Sequence, residues 1–334
     1  MDPLTHSLAS FALTRTFFPR VSRTILIGSI IAGTIADVDI SSEWMGPSVF
    51  LAAHRTFTHS LFGALVIAAT AAMTIGFLLR RNATQNISIK FYALPVFLCV
   101  FSHLLMDYCQ GDGVALLWPF RVQRYSADWV AHIDLWILVL LLCGVLLPRL
   151  FGLVTTEIGA KAKGPKGQVG AAASLIILFL YIGARMMLHG NAIAELDSRT
   201  YRGETARRWA ALPDSASPFR WHGIVETERA LHDVRVDLGP GASFDADAGI
   251  TTYKPEPSTG LDAARNTVTA RKLLAVIRFP RANVEKTATG FRIEIRGFPY
   301  RNDSSAGLQV LAELETDANG VVRGEGILWA PNSR

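Results

Sequence analysis

Several things are scarce in this chain, and each scarcity narrows its class. Cysteine is limited to Cys99, Cys109 and Cys143, which stand far apart, and Cys99 and Cys143 lie inside apolar runs. That pattern excludes a disulfide framework and a CxxC metal knuckle. Charge is thin, with 18 % charged against 50 % hydrophobic residues in a chain of 334. The apolar excess is concentrated before residue 190, which points to a membrane rather than to a soluble core. No basic stripe with interleaved aromatics accompanies the formal net charge of +5, so nucleic acid is not expected as a partner. Internal repeats and low-complexity tracts are missing. The opening MDPLTHSL has no basic leader and carries Asp2 and His6, so it is not expected to be a signal peptide.

What is present is a series of apolar runs. They cover residues 4–18, 24–36, 60–79, 91–107, 129–148 and 170–188. A full helical span needs about 20 residues, so the first two runs read as a hairpin of short or tilted helices. The expected fold is an α-helical membrane bundle of about six short or full spans over residues 1–190, followed by a connecting helix at 191–212. Residues 213–334 alternate more, carry turn signals such as Asn302-Asp303 and Asn319-Gly320, and read as a soluble sheet-rich α+β domain with one helix near 262–277.

Lysine and arginine sort the short loops. Arg15, Arg20 and Arg23 share a side with Arg80, Arg81 and Lys90, and with Arg149, Lys161, Lys163 and Lys166, if the runs alternate. That side should be cytoplasmic. The other side then receives both termini and the loops at 37–59 and 108–128. It carries Arg55, Arg121 and Arg124, so the asymmetry is not clean.

The same alternation gathers polar residues at the outer face. His6 starts the first run, Asp37 and Asp39 end the second, His54 and His59 precede the third, His103 and Asp107 end the fourth, and His132 and Asp134 begin the fifth. Imidazole with carboxylate suits zinc first, with manganese, iron and nickel open. His103 and Asp107 are four apart and share one helical face. Ionisable groups at membrane depth are costly unless paired or metal-bound. Each also has an ordinary reading: His6 as an interfacial residue, His54 as a loop residue, His132 and Asp134 as a solvated helix start. Thr58 is the expected N-cap of the third run.

Taken in order, these pieces resemble a known family. Met-Asp-x-x-Thr-His (Met1 to His6), Ala-Asp-x-Asp (Ala36 to Asp39), His-Arg-x-x-Thr-His-Ser (His54 to Ser60), Ser-His-x-x-x-Asp (Ser102 to Asp107) and Leu-x-Pro-Phe (Leu117 to Phe120) are similar to motifs of the YdjM/YbcI-like bacterial membrane-bound metal-dependent hydrolases. The resemblance covers about residues 1–190, and Ala36 stands where many members have proline. It implies an inner-membrane, multi-pass protein, and the loop charges put the site and the C-terminal domain on the extracytoplasmic side. The expected metal ligands are His59, His103 and Asp107 with Asp37, Asp39 or His6. Asp39 is the candidate general base, and Arg55 and Arg121 would clamp an anionic group of a lipid or lipid-linked ester. His54, His132 and Asp134 fall to supporting or substrate-contacting roles. Two alternatives remain: a non-catalytic envelope protein whose C-terminal domain binds an unidentified protein partner, and a small transporter. Transport fits less well, because the polar residues crowd helix ends and no inverted repeat is present.

Overall fold

A computed structural model describes residues 1–82, 88–157, 167–297 and 308–331. The loop lysines Lys161, Lys163 and Lys166, most of the 159–169 linker and the Asn302-Asp303 turn lie outside these residues.

The N-terminal half is helical. Helix α1 (Pro3–Phe17) and α2 (Arg23–Ala32) form the expected hairpin, with Asp2 and Ser22 as their N-caps. A bent 3-10 segment (Ile35–Met45) follows, then the short α3 (Pro47–Ala53), α4 (Leu61–Asn82), α5 (Lys90–Tyr108), α6 (Leu135–Glu157) and α7 (Gln168–Asp197).

The expectation of six spans is corrected. Among the described residues three helices are long and apolar enough to cross a membrane: α4, α5 and α7. A fourth arises only if α2 and the 3-10 segment, bent by 43°, are counted together. The reason is length and polarity. At 1.5 Å per residue, the 15 residues of α1 reach roughly 22 Å, short of a hydrocarbon core of about 30 Å. Helix α1 also turns Thr5, His6, Ser10 and Thr14 into the protein interior.

Two apolar clusters hold the helices. Ile25, Ala64, Ile75, Val96 and Val100 join α2, α4 and α5. Ala9, Ala12, Ile137, Leu141 and Ala171 join α1, α6 and α7.

The expected connecting helix is shorter than residues 191–212. Helix α7 stops at Asp197, and the hairpin β1 (Thr200–Tyr201) and β2 (Glu204–Thr205) turns at Gly203, whose φ of +82° suits glycine. Two antiparallel meanders follow. The first has β3 (Arg208–Pro213), β4 (Arg220–Glu226), β5 (Ala230–Asp237) and β6 (Ile250–Tyr253) in sequence order. Helices α8 (Thr259–Asn266) and α9 (Val268–Leu274) occupy the place of the single helix expected there. The second meander has β7 (Pro280–Lys286), β8 (Gly290–Gly297), β9 (Leu308–Asp317) and β10 (Val322–Pro331). The sheet-rich character expected after the membrane half is therefore present.

The sheets are fastened to the helical half at two places. Leu51 of α3 is buried among Leu261, Leu273, Ile293 and Leu314 of the second sheet and its helices. On α7, the fully buried Arg185 lies with its guanidinium 4.1 Å from the ring centre of Trp221 in β4. Its Nε donates to the Trp129 carbonyl at 2.9 Å, and Nη1 donates to the Pro218 carbonyl.

Candidate metal centre

The site is built at the ends of helices. Pro3 occupies the first turn of α1, and Asp2 accepts from the Thr5 N–H at 2.9 Å and from the Thr5 hydroxyl at 2.5 Å. That cap fixes the first turn so that His6 faces inward, 1 % exposed. His103 and Asp107 share the inner face of α5, with 3.5 Å between His103 Nε2 and Asp107 Oδ2. The 3-10 segment after α2 delivers Asp37 and Asp39. Ser60, not Thr58, caps α4: its Oγ accepts from the Gly63 N–H at 2.9 Å. Gly63 is required there, because a Cβ would sit 1.8 Å from the Phe57 carbonyl oxygen.

One donor atom from each of His6, Asp37, His103 and Asp107 lies within 4.8 Å of the others. His59 reaches the same point from the opposite wall. Its Nε2 is 2.9 Å from Asp107 Oδ2, 3.2 Å from His103 Nε2 and 3.6 Å from Asp37 Oδ1. The His6 and His103 rings stack with centres 3.8 Å apart.

The outer partners decide which nitrogens face in. His103 Nδ1 donates to the Gly33 carbonyl at 2.9 Å, and His59 Nδ1 donates to Asp39 Oδ2 at 3.0 Å. Both Nε2 atoms therefore turn towards the carboxylates; with a cation bound and the rings neutral they would offer it their lone pairs, the arrangement metal-binding histidines adopt. Asp37 Oδ2, Asp107 Oδ2 and His6 Nδ1 are buried without a well-formed hydrogen bond among the described residues. Such atoms are costly unless something compensates them, and a divalent cation fits that donor set. Burial opposes the His59 proton, but Asp107, Asp37 and Asp39 outweigh it and push the ring up to about 10.

Asp39 is saturated. Oδ1 accepts from His54 Nδ1 at 2.8 Å, and Oδ2 accepts from the Arg55 N–H at 2.8 Å, the Thr58 hydroxyl at 2.5 Å and His59. Burial holds His54 below its ordinary value even beside Asp39. Arg55 adopts φ +57°, a strained conformation for a side-chain-bearing residue. Its N–H on Asp39 and its carbonyl on the Ala115 N–H, at 3.1 Å, hold it there. The Arg55 side chain is 4 % exposed; Nη2 lies 3.6 Å from Asp112 Oδ2, while Nη1 has no partner among the described residues.

The remaining expected residues divide. Asp107 Oδ1 accepts from Gln110 Nε2 at 2.6 Å, and Gln110 Oε1 lies 3.1 Å from His132 Nδ1, so His132 joins the site at one remove. Asp134 does not join it. It caps α6, accepting from the Trp136 and Ile137 N–H groups, and takes a hydrogen bond from Tyr181. Arg121 is exposed and forms no ion pair among the described residues. Arg124 lies closer: its Nη2 donates to the His54 carbonyl at 2.7 Å. Burial and neighbouring Arg55 pull Arg124 down to about 10, so it is cationic at neutral pH. Gln110 and Asp112 carried no signal in the sequence beyond lying next to the Ser-His-x-x-x-Asp motif. The Met1 amine also contacts Asp107 Oδ1.

Comparison with curated proteins and with solved structures gives no match. Residues 1–192, the helical half that supplies every residue of this centre, match the YdjM inner membrane protein family, and the chain belongs to that family.

Proposed function

We propose that the protein is a multi-pass inner-membrane hydrolase dependent on a divalent metal, acting on a lipid or lipid-linked ester with an anionic group. The observation that carries this reading is the convergence of His6, Asp37, His103 and Asp107 within 4.8 Å, with His59 Nε2 facing the same point. When bound, a divalent ion supplies Lewis acidity and a more acidic water. His6, Asp37, His103 and Asp107 would hold it, with His59 as a further ligand. Asp39 orients His59 and His54; four donors already occupy it, so its role is positioning rather than proton transfer. Arg55, and Arg124 rather than Arg121, would face the anionic group. A lipid substrate is supported by the 3-10 segment, which carries Asp37 and Asp39 and also exposes Val38, Ile40, Trp44 and Met45, with Trp44 90 % exposed.

The test is metal content of the detergent-purified protein. Wild type is expected to carry about one zinc or comparable ion per chain, and His103→Ala and Asp107→Asn to lose it. Full retention in both variants would sink the metal centre. A second reading, a structural polar network, draws on the His59–Asp107 and His59–Asp39 pairs, which already bind the elements together. It predicts that the two variants unfold the bundle, whereas a metal-dependent enzyme keeps its fold and loses activity.

A further inference from the structure

Beside the metal centre runs a second polar cavity, between the two halves of the chain. Its volume is about 270 Å³. Asp112, Gln123 and Arg124 line one side; Arg208, at the start of β3, and Arg278, between α9 and β7, line the other. Arg55 stands behind Asp112, joining this cavity to the metal centre.

The charges around the cavity do not cancel. Arg55 pairs with Asp112 at 3.6 Å, Arg278 Nη1 with Asp128 at 2.7 Å, and Arg208 Nη1 with Glu226 at 3.6 Å. Among the described residues Arg124 has no carboxylate within ion-pair reach and its buried Nε has no partner, while Nη2 bonds a neutral carbonyl. Arg55 Nη1, on a side chain 4 % exposed, is likewise unmatched. Arg55 is buried and Arg124 half-buried, and each keeps a buried N–H without a partner among the described residues; neighbouring like charges are unfavourable in isolation, and an anion accepting from both removes the cost. Planar forks of this kind match the oxygens of phosphate.

We propose that this cavity binds a phosphate or diphosphate group of the substrate, and that the C-terminal domain supplies one wall of the binding site through Arg208 and Arg278. The phosphate then lies next to Arg55 and the reacting bond towards the metal centre. The orientation rests on the metal-dependent reading; the binding itself does not. The domain joined to the family's helical half is thereby a substrate-recognition domain.

The experiment is equilibrium binding of inorganic pyrophosphate, and of short-chain phosphatidic acid in the same detergent, to the full-length purified protein. Wild type, Arg124→Gln, Arg208→Gln and Asp107→Asn are compared, with metal content measured alongside. Saturable wild-type binding, weakened about tenfold or more in both arginine variants with their metal retained, supports the cavity. Arg208 is half exposed, so Arg208→Gln keeps the test valid if Arg124→Gln fails to fold. Pyrophosphate binding alone points to a soluble phosphate, and phosphatidic acid alone to a lipid headgroup. The proposal is overturned if neither probe binds wild type. It is equally overturned if the arginine variants bind like wild type while Asp107→Asn does not, because the phosphate then sits on the metal. Wild-type protein that binds pyrophosphate through the arginines but carries no metal would leave the cavity standing and remove the hydrolase reading.

Discussion

The ring of Trp329, in the last strand, lies 5.3 Å from that of Phe50, and Phe50 stacks on His54 at 4.6 Å. His54 donates to Asp39, and Asp39 holds His59. The end of the chain is thus in contact, through four side chains, with the middle of the metal centre. An aromatic pair is worth about 1 kcal/mol beyond its buried area. Trp329→Ala is therefore expected to weaken metal affinity about fivefold, with stoichiometry unchanged, and Trp329→Phe to restore most of it. A metal titration identical to wild type for Trp329→Ala would show the contact to be incidental.

Asp39 and Asp107 should fail differently. Asp39→Asn removes the charge that fixes the His59 tautomer, and the loss of such an outer partner costs roughly 10–100-fold in metal affinity. The site should still fill at high metal. Asp107→Asn takes away a ligand and should leave no stoichiometric site. Equal affinity for Asp39→Asn and wild type in a competition titration would remove Asp39 from its orienting role.

Gly63→Ala tests the turn that presents His59. The added methyl meets the Phe57 carbonyl, which is backbone and cannot swing away. Overpacking of this kind costs about 1–3 kcal/mol. A lower melting temperature is expected, together with weakened metal binding, because His59 lies between Phe57 and the helix start. A melting curve superimposable on wild type would contradict the geometry of the turn.

Orientation is open to chemical labelling. In a Cys143→Ser background, a membrane-impermeant maleimide should label Ser243→Cys from outside spheroplasts. Arg20→Cys, in the basic α1–α2 turn, should react only after permeabilisation. The reverse pattern would place the centre and the sheet domain in the cytoplasm.

The cluster was legible from sequence because its residues lie at or near the ends of apolar runs, and the packing of those helices brings them together although not every run is long enough to span. His103 and Asp107 were the clearest, since spacing alone put them on one side of α5. Span number was less legible, because apolarity shows where lipid or protein covers a segment and does not distinguish the two. Helix α1 is apolar in composition yet buries Thr5, Ser10 and Thr14 against its neighbours. Loops carry no period, so nothing in sequence separated Arg121 from Arg124, or showed that Asp134 would spend its oxygens on the α6 N-terminus and Tyr181. Strands β3 and β7 are hard to read from the sequence. The burial of β3 is continuous from Ala210 to Leu212, and β7 turns no residue fully inward, so neither displays clean alternation.

Helix α7 runs unbroken for 30 residues, roughly 45 Å, and only Ser198 and Arg199 separate it from the first strand. With Arg185 locked to the Pro218 carbonyl, the sheets are carried on a strut rather than on a tether. They cannot search the space around the membrane for a ligand. If α7 crosses the bilayer, its length sets the height at which the sheets stand.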